Sequence, residues 1–401
     1  MPAFYKEWFY RTKLTLVGSL LSKPQPKPMT FMGPGSSNQL CKAISQFGIS
    51  NLLVVTDKPL RELGVLDDLL AALDSFGVRA TVYDGVLPDP TAQVVNDGIT
   101  MLNDNACKAV LAVGGGSSID CAKVVALAGG NSCAAEDCIG VNKCKLPALP
   151  FFAIPTTAGT GSEATCIAVI SDNETHDKGG VIDNGLIPRA AALDPVLMHG
   201  LPAHITAATG MDALTHAIES YIGTFGNADT DFYGLASAKL VFENLEEACS
   251  NGANMEAREA MALASYYGGL AISQALVGYV HAISHNLGAR YGVPHGLGNA
   301  MVLPHVLELL KDDAAKKMAE IAVHVGFGEA GESESVLAQK LVDRVWALNK
   351  QLGIPETTDV IKDADIDGLV QVALVEGSGY PTPRYFDEQE CKALLERIKA
   401  A

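Results

Sequence analysis

Along the first half of the chain, short apolar runs alternate with stretches whose apolar residues recur every third or fourth position. NLLVVTD (51–57), RATVYDG (79–85) and AVLAVGGG (109–116) read as strands. PLRELGVLDDLLAALDSFG (59–77), TAQVVNDGITMLND (91–104) and the stretch opening at SSIDCAKVVALA (117–128) read as helices between and after them. Such alternation predicts a parallel sheet with helices on both faces. FFAIPTT, ATCIAVISD and RAAALDP add strands up to about residue 195. Beyond Leu201 the β-branched runs disappear and long helical stretches follow. One of these, 258–280, is apolar on every face and reads as a buried helix. The pattern predicts an α/β domain over 28–200, an all-helical domain over 201–401, and an N-terminal extension over 1–27 that ends in the proline-rich KPQPKP.

Composition narrows the partners. A 401-residue chain with 48% hydrophobic residues can bury a large core. Its formal charge of −17 argues against nucleic acid, whose phosphates it would repel. Small molecules and further copies of the chain, as a homodimer or higher homo-oligomer, are the expected partners. Nine cysteines without C-x-x-C spacing point to reduced thiols in the cytoplasm. The aromatic N-terminal segment is broken by Lys6, Glu7, Arg11 and Lys13, so it reads as an amphipathic helix rather than a signal peptide. No run long enough for a transmembrane span occurs elsewhere.

The polar residues inside the apolar helical half carry the chemistry. His281, His285 and His295 fall within VHAISHNLGARYGVPHG (280–296), in a chain with nine histidines. His281 and His285 are four apart and share a helix side, and Gly292 and Pro294 turn the chain so that His295 returns. Earlier, TGMDALTHAIES (209–220) sets Asp212 and His216 at the same spacing on an apolar helix, where a carboxylate needs a positive partner. One carboxylate with two or three imidazoles suits Fe(II), Zn(II), Co(II) or Ni(II) better than Mg(II) or Ca(II). Spacing alone nominates His285 as a ligand as readily as His281.

Two glycine-rich turns lie in the first half. GGGSSID (114–120) joins a strand to a helix N-terminus, where backbone N–H groups can approach a phosphate. PTTAGTGSE (155–163) is a second such turn, and the pair could hold both ends of a dinucleotide. Asp57 closes the first strand; it can accept hydrogen bonds from a ribose and repel a 2′-phosphate, or it can simply cap the next helix.

Taken together, GMDALTHAIES, VHAISHNLGARYGVPHG, GGGSSIDCAK and IPTTAGTGSE closely resemble the iron-containing (group III) alcohol dehydrogenase family, in order and spacing, over about residues 28–400. The resemblance implies a Rossmann-like NAD-binding domain followed by an all-α, dehydroquinate synthase-like metal domain, with the site in the cleft between them. It implies Asp212, His216, His281 and His295 as ligands of Fe(II), or of Zn(II), and His285 as a proton relay beside the substrate. It places NAD on Gly114, Gly115, Gly116, Ser117, Asp120, Thr156, Thr157, Thr160, Ser162, Thr165 and Val169, with Asp57 favouring NAD over NADP and Lys178 near the nicotinamide. Thr165, Ile167, Val169 and Ile272 would line the cofactor and alcohol pocket, which implies primary aliphatic alcohols and aldehydes as substrates. A dehydroquinate-synthase-like lyase, a reductase of a more polar carbonyl and a non-catalytic dinucleotide-binding protein are the competing readings. The chain departs from the family at Asp89, Ser378 and Thr382, where Asn, Cys and Asn are common.

Overall fold

The computed structural model describes residues 25–174 and 178–400. The expected N-terminal extension therefore lies almost wholly outside the described residues. Two compact units emerge, one from residues 25–201 and 253–269, the other from 202–252 and 270 onwards. The first division falls between residues 201 and 202. The segment 253–269, though helical, is part of the unit that contains the sheet.

The first unit holds a six-stranded sheet in the order β1-β9-β6-β4-β2-β3, parallel throughout. Its strands are β1 (Met29–Met32), β2 (Asn51–Asp57), β3 (Arg79–Val86), β4 (Val110–Gly114), β6 (Phe151–Pro155) and β9 (Ala190–Leu193). Alternate residues face opposite sides. Leu53, Val55, Val110, Ala112, Phe151 and Ala153 join the core built with helices Ala92–Asp104 and Gly116–Asn131. Leu52, Val54, Leu111, Val113, Phe152 and Ile154 join the core built with helices Ser36–Gln46 and Asp67–Ser75. Burial on both sides explains why these strands are continuous apolar runs.

Three expectations need correction. The helix expected over 59–77 is two helices, Lys58–Glu62 and Asp67–Ser75, because Gly64 adopts a left-handed φ of 73° and ends the first. The strand at ATCIAVISD, β7 (Ile167–Ser171), does not join the main sheet; it pairs antiparallel with β8 (Lys178–Ile182), which also pairs with β5 (Gly140–Val141). The apolar run 258–280 is not one helix. It ends at Ala275, Leu276 takes φ 60°, and a new helix spans Tyr279–Tyr291.

The second unit is helical. Helix Ala203–Ile222 packs on Ala228–Ser250 and on His295–Leu310, and Tyr279–Tyr291 packs on His295–Leu310. Gly296 makes one of these approaches possible: a Cβ there would stand 2.3 Å from the Ala208 carbonyl oxygen. Any side chain at 296 would push His295 away from the helix that carries Asp212. Among the described residues no single helix is long and apolar enough to cross a membrane.

Candidate functional site

Three helices of the second unit bring four donor side chains together. Asp212 and His216 lie one turn apart on Ala203–Ile222; His281 lies in the first turn of Tyr279–Tyr291; His295 opens His295–Leu310. The Nε2 atoms of His295, His216 and His281 stand 3.4, 3.7 and 3.9 Å from Asp212 Oδ1. The four ligand atoms all lie within 4.8 Å of one another. An ion bound at about 2.0–2.2 Å from N and O donors needs just such separations.

The surroundings fit a cation. The Asn299 amide nitrogen lies 2.6 Å from Asp212 Oδ1, 3.1 Å from His281 Nε2 and 3.2 Å from His295 Nε2. One amide nitrogen thus stands against three atoms of the donor set, each of which a divalent ion could bind instead. Burial pushes the Asp212 carboxyl upward, but the imidazoles of His216, His295 and His281 outweigh it and hold the group well below its ordinary range. Burial, joined by the neighbouring imidazoles, holds His281 well below its ordinary range, which keeps it neutral and able to ligate. The side chains of Asp212, His216 and His281 are at most 5% exposed, whereas His295 is 32% exposed, so one side of the cluster is open.

Glu219 orients His281, and spacing alone did not single it out. Its carboxyl accepts from the backbone N–H groups of Gly278 (2.8 Å) and Val280 (2.7 Å) and meets His281 Nδ1 at 2.6 Å. The break at 276–278 is thus what exposes these N–H groups to the buried carboxyl. A Cβ on Gly278 would come within 2.7 Å of Glu219 Oε1. With Nδ1 engaged, Nε2 is the atom left facing the donor set. Burial raises the Glu219 carboxyl to about 8, and a cation beyond His281 would favour its charged form. The signal was present: 212, 216 and 219 follow i, i+4, i+7 on one helix face.

His285 lies one turn beyond His281, its ring stacked on His295 at 5.2 Å. It is absent from the converging set. Its Nδ1 meets Glu376 Oε1 at 2.6 Å, and Tyr380 donates to the same oxygen at 2.8 Å. Glu376 had no local signal in the sequence. Ser378 and Thr382, the departures in that stretch, bond backbone carbonyls of Val375 and Arg384. Arg290, the basic residue nearest the histidines in sequence, is paired with Asp365 and half exposed.

In the sheet unit the two glycine-rich turns follow neighbouring strands, β4 and β6, with Gly114 paired to Pro155. A Cβ on Gly116 would meet Thr160 at 2.6 Å, and one on Gly115 would meet Thr157 at 3.5 Å. The chain leaves β2 for β3 on one side and returns to β4 on the other, so Asp57 and Gly114–Ser117 flank the switch point where open sheets bind ligands. Asp57 Oδ1 accepts from Leu60 N–H at 2.9 Å and caps Lys58–Glu62.

Other nominated side chains brace one another. Ser162 donates to Asp120 Oδ1 at 2.5 Å, and the Val169 N–H donates to Asp120 Oδ2 at 2.8 Å. Thr165 Oγ1 takes a hydrogen bond at 2.8 Å from Lys123, whose ammonium also donates to the Ile167 carbonyl at 2.6 Å. Lys123 is fully buried, and burial lowers it to about 8. The Thr156 N–H donates to the Gly114 carbonyl at 3.0 Å, and the Ser117 hydroxyl accepts from the Asp89 N–H at 3.3 Å. Lys178 pairs with Asp89 at 3.0 Å, so the extra carboxylate at 89 is balanced by the lysine expected near the nicotinamide.

Comparison with known proteins agrees with this architecture. Residues 27–195 match the profile described as iron-containing alcohol dehydrogenase, and 206–399 match its C-terminal counterpart, the Fe-containing alcohol dehydrogenase family. Alcohol dehydrogenase 4 of Schizosaccharomyces pombe is 39% identical over 91% of this chain and 86% of its own length. The 1,3-propanediol dehydrogenase of Klebsiella pneumoniae is 36% identical over 92% and 96%. The solved alcohol dehydrogenase from Oenococcus oeni superposes with a TM-score of 0.90 at 33% identity, covering 94% of this chain and 99% of that one.

Proposed function

Because the chain belongs to the iron-containing alcohol dehydrogenase family, we propose that it is a metal-dependent, NAD-linked dehydrogenase interconverting primary aliphatic alcohols and their aldehydes. The observation that carries this reading is the convergence of Asp212 Oδ1 and the Nε2 atoms of His216, His281 and His295 on one point with an open side. These four residues hold the divalent ion, Fe(II) or in its place Zn(II). When bound, the ion supplies Lewis acidity to the alcohol oxygen and NAD supplies the hydride acceptor.

The chain's own residues do the rest. Glu219 fixes the ring of His281. His285 receives the alcohol proton at Nε2 while Glu376, at Nδ1, stabilises the imidazolium that forms. A 19% exposed side chain allows His285 to pass that proton to water. Gly114, Gly115, Gly116 and Ser117, with Thr156, Thr157 and Thr160 opposite, hold the cofactor phosphates. Asp57 uses one oxygen as a cap and turns its charge against a 2′-phosphate. Asp120, Ser162, Thr165 and Val169 shape the cofactor-side wall through the bonds they make to each other and to Lys123. Lys178, paired with Asp89, would meet the nicotinamide half.

The substrate reading rests, within the sheet unit, on Thr165, Ile167 and Val169. Two are apolar, and the hydroxyl of Thr165 is spent within the protein. Such a lining stabilises an alkyl chain by about 0.8 kcal/mol per buried methylene and leaves the hydroxyls of a polyol unsatisfied. The names of relatives, propanediol dehydrogenase and the lactaldehyde reductase of Escherichia coli, make a more polar carbonyl the competing substrate. The lyase alternative needs clustered cations for a phosphorylated substrate, and Arg290 is committed to Asp365.

Nine free cysteines support a reducing, cytoplasmic setting. β1, which pairs only with β9 among the described residues and exposes Met29 and Met32, supports a homodimer. The test is a panel of alcohols and aldehydes with NAD and NADP, on protein reconstituted anaerobically with Fe(II). A specificity constant rising from ethanol towards hexanol supports the reading. Glycerol or a hydroxy acid outperforming every simple alcohol overturns the substrate class, and no NAD-linked turnover overturns the reading as a whole.

A further inference from the structure

A second cluster of soft donors lies in the sheet unit and has no part in the chemistry above. Helix Gly116–Asn131 ends at Ser132, which adopts a left-handed φ of 53° and turns the chain into Cys133. Cys138 closes the short turn Glu136–Cys138, and Cys144 follows β5. Their sulfurs face one another. Cys138 Sγ lies 3.8 Å from Cys133 Sγ and 3.5 Å from Cys144 Sγ, and all three lie within 4.8 Å of one another.

These separations fit one use that three thiols can have. A disulfide would need about 2.0 Å and would consume two of the three. A tetrahedral ion with metal–sulfur bonds of about 2.3 Å sets its sulfurs about 3.8 Å apart. Cys138 is buried, whereas Cys133 and Cys144 are partly exposed, so an ion has an entry path and a fourth position open to water. In the absence of an ion, burial pushes the thiols of Cys138 and Cys144 upward, and sulfur meets sulfur as a neutral pair.

We infer that Cys133, Cys138 and Cys144 form a thiolate site for a thiophilic d10 cation of the Zn(II) class, distinct from the Asp–His cluster. Binding converts thiols to thiolates and releases their protons to solvent; no electron is transferred. The ion ties the segment 133–144 to the C-terminal end of the helix whose N-terminus carries Gly116 and Ser117.

The experiment uses the full chain, reduced, with its Asp–His site already loaded anaerobically with Fe(II), and Cd(II) as the probe. The expected result is an ultraviolet sulfur-to-cadmium charge-transfer band that saturates at one equivalent per chain and protects Cys133, Cys138 and Cys144 from alkylation. The Asp–His cluster contains no sulfur and cannot give that band. Cys138→Ser and Cys144→Ser should each weaken Cd(II) binding at least tenfold while alcohol turnover is unchanged. Cys144 is partly exposed, so its substitution tests the site even where that of the buried Cys138 disturbs folding. No band, a band undiminished in both variants, or a Cys138–Cys144 disulfide that forms as fast with Cd(II) present as without it would each overturn the inference.

Discussion

In the helical unit the groups that face one another are side-chain donor atoms, each delivered by a different turn of helix and several fixed from behind. His281 is held by Glu219, His285 by Glu376. In the sheet unit the two turns that face one another consist largely of backbone, and the polar side chains around them are tied to each other: Asp120 to Ser162, Thr165 to Lys123, Asp89 to Lys178. A donor site must be built from particular side chains, so residue type reveals it. A pair of turns built largely of backbone offers N–H groups that every residue has, so residue type there reports the bracing instead. Substitutions should therefore act on binding in the first region and on stability in the second.

The largest effect expected is from His281→Ala. Removing one of four donors opens the cluster, so metal retention and turnover should both be abolished, as read by metal analysis after gel filtration and by NAD-linked assay. His285→Ala should keep its metal, lower turnover and shift the pH–rate profile. Stoichiometric metal in His281→Ala would remove it from the ligand set; complete metal loss in His285→Ala would mean the two histidines are not divided between holding metal and moving protons.

The same contrast explains what the sequence disclosed. Strands β2, β4 and β6 were plain because burial on both faces leaves apolar runs, and the pairs Asp212/His216 and His281/His285 because polar residues on apolar helices are conspicuous. The split of 59–77 at Gly64 and of 258–280 at Leu276 was hidden, because a local φ reversal leaves the hydrophobic period intact on either side. Glu219 was legible by its i+7 spacing from Asp212 but only once the chain break beside it was known. Glu376, 91 residues from the histidine it meets, had no local mark at all. Nor did Lys123, whose burial depends on β7 leaving the main sheet.

Lys123→Met sharpens the second half of the comparison. It removes a cation whose charge acts on the buried Glu163, together with the donor to Thr165 and to the Ile167 carbonyl, and should cost about 1–3 kcal/mol in denaturant unfolding. The pH dependence follows from the same burial. Glu163 is raised from 4.5 to about 7, so across that window the folded chain keeps a proton that the unfolded chain releases, and stability falls as pH rises. Lys123 is lowered from 10.5 to about 8, so between those values the unfolded chain holds the extra proton and stability rises with pH. Glu163→Gln should flatten the acidic slope and Lys123→Met the alkaline one. Unchanged slopes would show that neither group is titrated by folding.

Glu219→Gln should have a smaller effect, on binding more than on folding. The amide keeps the size of the carboxyl but loses the charge behind His281 and sets its NH2 against one of the two backbone N–H groups, so metal affinity should fall by about 10–100-fold and unfolding of the metal-free protein should ease by about 1–3 kcal/mol. Loss of fold before loss of metal would place Glu219 with the bracing residues of the sheet unit instead.

The smallest effect is the most discriminating, because Asp57 belongs to both kinds of region at once. Its Oδ1 caps Lys58–Glu62 through the Leu60 N–H, a bracing role, and its charge stands at the end of β2 beside the glycine turn, where the proposed binding role needs it. Asp57→Asn separates them. Asparagine is as good an N-cap as aspartate, so stability should move by no more than a few tenths of a kcal/mol. The negative charge is lost, however, and with it the repulsion of a 2′-phosphate, so the Michaelis constant for NADP should fall while that for NAD rises modestly. The ratio of specificity constants for the two cofactors is the measurement. An unchanged ratio with unchanged stability would leave Asp57 as a cap and nothing more, and cofactor choice would then have to be sought elsewhere along the turn at Gly114–Ser117.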